Sequence, residues 1–121
     1  MQVYGTPQAG GVLTAVQTGD AYTLFNAETP AAGTASVAFA LANGPAPGEN
    51  SKTFHIDFAA APTAVVVIQC ANKDIEADYV TVYTSTNTQH DAYTDIGTSA
   101  FYRAKLVSQS AGGALTVTVQ R

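Results

Sequence analysis

Thr53-Phe54-His55-Ile56-Asp57-Phe58 alternates polar with aromatic or aliphatic side chains. Successive side chains of an extended chain point to opposite faces, so Phe54, Ile56 and Phe58 share one face and Thr53, His55 and Asp57 the other. The segment reads as a strand with one face in a core. Beyond the turn at Ala61-Pro62, the run from Ala64 to Cys70 is apolar, β-branched and too short for a buried helix, which predicts a central strand. Tyr79 to Thr84 alternates again, and Thr86 to Gly97, rich in Asn, Asp and Thr, reads as a polar connection. Ala100 to Ser108 and Leu115 to Gln120 are the last two strands. Between them Gly112-Gly113 supplies the positive φ of a tight turn and predicts a terminal hairpin. The expected core joins Phe54, Ile56 and Phe58 to Val65 or Val66, Tyr79 or Val80, Leu106 and Val117.

Upstream the pattern is weaker. Val12 to Thr18, Ala21 to Phe25 and Ala35 to Leu41 are candidate strands, with Gly19-Asp20 a turn between the first two. Asn43 to Asn50, with two prolines and two glycines, reads as an exposed loop. Residues 1 to 11 hold few apolar anchors and are expected to form an N-terminal arm ordered by a neighbour, leaving 12 to 121 as one domain. About eight short antiparallel strands and no amphipathic helix predict an all-β fold, a sandwich or small barrel, which suits the 121-residue length.

Composition narrows function. Charged residues are 12% of the chain, about half the usual share. A sparsely charged surface packs against neighbours without desolvating ions, which favours an assembly subunit. The net charge is −4 and the five Lys and Arg are scattered, so nucleic acid is not an expected partner. With no long apolar run and no signal-peptide pattern, the expectation is synthesis in the cytoplasm and no membrane contact. The lone Cys70 ends an apolar run and reads as core filler.

No catalytic set stands out, and no enzyme activity or cofactor is expected. His55 and His90 lack a partner at metal-ligand spacing. Asp74, Glu76, Asp78, Asp91 and Asp95 fall in two predicted loops, but Asn72 to Asp78 lacks the glycine and final Glu of an EF-hand loop, so no metal is expected. Tyr93, with Asn87, Gln89, His90 and Asp91 nearby, is the best candidate platform for a glycan. Arg103 is expected either to pair with Asp57 or Asp95 at a buried edge or to project as an intersubunit contact.

From Pro62 onward the order of features resembles small β-sandwich domains of tailed-bacteriophage virion proteins. The residues that carry it are Ala100-Phe-Tyr-Arg-Ala104, the Ser110-Ala-Gly-Gly113 turn and Leu115-Thr-Val-Thr-Val119. The layout is also similar to the galactose-binding-like jelly rolls of carbohydrate-binding modules, which favours a jelly-roll-like over an immunoglobulin-like order. The resemblance implies a virion structural protein such as a capsid decoration (cement) protein, or a head or tail accessory protein, made in the host cytoplasm. It would act as a homo-oligomer on major capsid or other virion proteins, with Val3, Tyr4 and Pro7 of the arm and Arg103 as contacts. The alternative is a carbohydrate-binding module on a tail or fibre, using Asn87, Gln89, His90, Asp91 and Tyr93.

Overall fold

The structure, a computed structural model, describes residues 13–15, 21–41 and 50–121. The proposed arm contacts Val3, Tyr4 and Pro7, the Gly19-Asp20 turn and most of the loop after Asn43 lie outside the described residues.

Among the described residues nine strands form two sheets: β1 Leu13–Ala15, β2 Ala21–Glu28, β3 Phe39–Leu41, β4 Lys52–Phe58, β5 Thr63–Ala71, β6 Val80–Thr86, β7 His90–Asp95, β8 Phe101–Ala111 and β9 Leu115–Gln120. One sheet has the order β1-β3-β8-β5-β6 and the other β2-β9-β4-β7. The antiparallel pairs β2 with β9, β3 with β8, β4 with β7 and β5 with β6 nest one inside the next, and consecutive strands from β2 to β9 lie in different sheets except β5 and β6.

 β5 and β6 thus share a sheet and form the innermost antiparallel pair. This nested wrapping is the strand order of a jelly roll, so the molecule is an all-β sandwich of that type.

Three expectations are corrected. The Thr86 to Gly97 connection contains a strand, β7, which pairs with β4 from Lys52↔Asp95 to Asp57↔His90. The last two strands do not form a hairpin: β8 and β9 lie in different sheets, and Gly112 (φ 128°) and Gly113 (φ 70°) carry the chain between them. A Cβ at Gly112 would meet Pro62 Cβ at 2.9 Å and Phe58 Cδ1 at 3.1 Å, so the crossing needs glycine for space as well as φ. Finally, β1 runs parallel to β3, because the strand between them in sequence lies in the opposite sheet.

Phe54, Ile56 and Phe58 join Val66, Ile68 and Leu106 of the opposite sheet, and Val117 and Val119 of the neighbouring β9, in one core, with Phe54 and Ile56 fully buried. Val65 stays outside this cluster, as β5 alternation requires. The expected contribution from Tyr79 or Val80 is made instead by Tyr83, which stands opposite the buried Ile68. Val80 is 59% exposed. In β2 a register shift between Thr23 and Phe25 lets consecutive Leu24 and Phe25 both reach the core.

Candidate functional site

The strand phase that buries Phe54 also turns Lys52 inward. Its side chain has no exposed area, and that of Asp95, directly opposite on β7, is 11% exposed. Lys52 Nζ donates to Asp95 Oδ1 at 3.1 Å, to the Gly97 carbonyl at 2.9 Å, to the Asp95 carbonyl at 3.3 Å and to the Tyr102 hydroxyl at 3.3 Å. The ammonium also sits 4.3 Å from the centre of the Tyr102 ring. Asp95 is held from every side. Its Oδ1 accepts the Gly97 N–H at 2.6 Å and the Tyr102 hydroxyl at 2.9 Å, and its Oδ2 accepts the Tyr93 hydroxyl at 2.7 Å.

Burial disfavours the Lys52 charge and pulls its pKa below the usual value, against the opposing pull of Asp95. Burial also pushes Asp95 upward, but the bonds from Tyr93, Gly97, Tyr102 and Lys52 outweigh it and the net shift is downward. The tyrosines respond in kind: burial, then the bond to Asp95, raises Tyr93 to about 12 and Tyr102 further in the same direction.

A second tyrosine and aspartate pair closes the same edge of the sandwich. Tyr83 stacks on Tyr93 at 4.7 Å and 10°, and its hydroxyl donates to Asp91 Oδ2 at 2.6 Å. The Tyr93 ring in turn lies against Phe54 at 6.3 Å. This packing corrects the use of Tyr93 as a glycan platform, since the ring is inward-facing and covered by Tyr83. The other residues of that set are also engaged within the chain. Asn87 Oδ1 accepts the Ala64 N–H, Gln89 Nε2 donates to the Phe58 carbonyl, and Asp91 Oδ1 accepts the Ala92 N–H. His90 Nδ1 lies 2.8 Å from Asp57 Oδ1 on the outer face of the sheet.

Arg103 takes neither expected partner. It is 7% exposed, donates from Nη2 to Glu76 at 2.5 Å and from Nε to Gln69 Oε1 at 2.9 Å, and lies 3.8 Å from the Tyr79 ring centre. It does not project as an intersubunit contact; it ties the Glu76 turn to the outer face of the five-stranded sheet. Asp74 accepts the Tyr79 hydroxyl at 2.6 Å in the same turn. Among the described residues no group of three or more His, Cys, Asp or Glu is placed to hold a metal ion. Cys70 is buried. A shallow open trough lined by Thr63, Val65, Thr86, Asn87, Ser108 and Gln109 lies beside the β6 to β7 turn and has no aromatic wall.

Sequence reasoning missed the Lys52 cluster although its signal was present. Lys52 is in phase with Phe54, Ile56 and Phe58, and Asp91, Tyr93 and Asp95 share a period-2 phase of their own.

On its solvent side the β2-β9-β4-β7 sheet presents short uncharged side chains in cross-strand rows. Ala21, Gln120, Thr53 and Thr94 form one row, and Thr23, Thr118, His55 and Ala92 the next. A third row, Thr116, Asp57 and His90, adds the only carboxylate among these residues. No protein-family model, curated protein or solved structure matches this chain significantly.

Proposed function

We propose that the chain is a structural subunit of a tailed-bacteriophage particle, a decoration or cement protein made in the host cytoplasm and acting without catalysis or cofactor. It would bind major capsid or other virion proteins as a homo-oligomer and reinforce the seams between them. The observation that carries this reading is the outer face of the four-stranded sheet, whose rows of Thr, Ala and Gln are exposed at the rim, half-buried at Thr53, Thr116 and Thr118, and nearly free of charge. Such a face can be covered without stripping water from ions, and many weak copies of one contact add up on a lattice. The jelly roll supports the reading only as a compatible scaffold, since one fold hosts many functions.

The test is binding of the purified chain to phage particles that lack it, with Thr118→Arg placed at the centre of the face. Saturable binding, weakened at least tenfold by the substitution and little changed by salt, is expected, because uncharged contacts are not screened. Binding that is absent, or that the substitution leaves intact, would contradict the use of this face.

A further inference from the structure

We propose that Lys52 and Asp95 are the reacting groups of an intramolecular isopeptide cross-link, formed by the folded chain itself and joining β4 to β7. Nucleophile and electrophile are already in contact, at 3.1 Å from Nζ to Oδ1, and paired strands hold their backbones in register. Bulk water is kept from the lysine, whose side chain has no exposed area. Proximity of this kind converts a slow bimolecular condensation into an intramolecular one.

The step balances without any further reagent. A proton first passes from the ammonium to the carboxylate, giving amine and carboxylic acid from the ion pair. The Nζ lone pair then attacks Asp95 Cγ, and a C–N bond forms as the carbonyl π bond opens. One carboxyl oxygen finally leaves as water, taking its protons from the acid and from Nζ, and the amide remains. Nothing is oxidised or reduced.

Each need of this sequence has a group to meet it. The Tyr102 hydroxyl touches Nζ at 3.3 Å and Oδ1 at 2.9 Å, so it can relay a proton from nitrogen to the departing oxygen. The Gly97 N–H and the Tyr93 hydroxyl point at the two carboxyl oxygens, at 2.6 and 2.7 Å, where charge gathers in the tetrahedral intermediate. Burial weakens the hold of Lys52 on its proton, which favours the amine. The bonds that favour the Asp95 carboxylate oppose the first proton transfer, so the amide is expected to accumulate after folding rather than with it.

The test is the intact mass of the purified, fully denatured chain, followed over time after refolding. A species lighter by one water molecule is expected, with tandem mass spectrometry joining a Lys52 peptide to an Asp95 peptide and trypsin no longer cutting after Lys52. Lys52→Arg should keep the full mass, Asp95→Asn should lose ammonia instead of water, and Tyr102→Phe should form the link about a hundredfold more slowly. A wild-type mass that stays at the sequence value overturns the proposal and leaves an ion pair. Loss of water confined to one peptide, as from an aspartyl succinimide, overturns it equally. The wild-type reading decides the matter even where a variant fails to fold.

Discussion

Phe54 illustrates how a single side chain carries the core. It is fully buried on β4, with the Tyr102 ring at 5.9 Å and the Tyr93 ring at 6.3 Å. Phe54→Ala is expected to cost about 3–5 kcal/mol, measured by urea unfolding. A loss under about 1 kcal/mol would mean that the strand phase is wrong, because a one-residue slip would expose the ring. Two positions along, the same phase buries an ammonium. Asp95→Ala would leave Lys52 without its carboxylate and is expected to cost about 3–5 kcal/mol, whereas replacing both members with apolar residues should cost less. Urea midpoints of the single and double variants check this; equal losses would show that the pair does not act as a unit. Phase was legible at Phe54 from the sequence alone. Lys52 was not read the same way, because a charge is placed in solvent unless its partner is known, and the partner lies 43 residues away.

At the scale of the elements, what the sequence left unread was the long-range pairing. β7 hides in a segment that is polar on both faces: its inward positions are Asp91, Tyr93 and Asp95, satisfied by Tyr83, Tyr102 and Lys52 from other strands. Strand existence was otherwise well marked, since Thr53 to Phe58, Ala64 to Cys70 and Leu115 to Gln120 all lie within observed strands. Gly112-Gly113 suggested a hairpin because local pairing is the commonest use of such a turn. The same two glycines serve a crossover equally well. Gly112→Ala is expected to lower the melting temperature, because the left-handed φ and the approach to Pro62 and Phe58 both penalise a Cβ. An unchanged melting temperature would contradict that close approach.

Acid sensitivity also belongs to the elements, because the strands bring the carboxylates to their partners. Glu76, Asp91 and Asp95 all have folded pKa values below their usual ones. Burial raises Asp91 and Asp95 but their hydrogen bonds prevail, while the bond from Arg103 lowers Glu76. The unfolded chain therefore binds more protons in acid, so their stabilisation is complete above the unfolded values near about 4 and is lost as pH falls through the folded ones. At the other end Tyr79, Tyr83, Tyr93 and Tyr102 have raised values, so stability should fall as pH rises above about 10. A melting temperature that does not fall as the pH drops below about 4 would contradict this assignment.

For the whole molecule the claim is that a self-contained sandwich reinforces a larger particle. Its polar side chains in the β6 to β7 region are engaged by their own chain, and its broad outer sheet face is nearly uncharged. Residues 1 to 11, with Val3, Tyr4 and Pro7, hold few apolar anchors and are proposed to act in assembly. Deleting residues 2 to 11 is expected to leave the melting temperature unchanged while weakening particle binding; a truncated chain that unfolds would make the segment part of the domain. The most direct test of the central claim is the location of the chain by cryo-electron microscopy of purified phage particles. The account predicts repeated copies of the sandwich on the particle exterior, bridging neighbouring subunits through the β2-β9-β4-β7 face. Particles that assemble without any copy of the chain, or that hold it with this face turned to solvent, would contradict it.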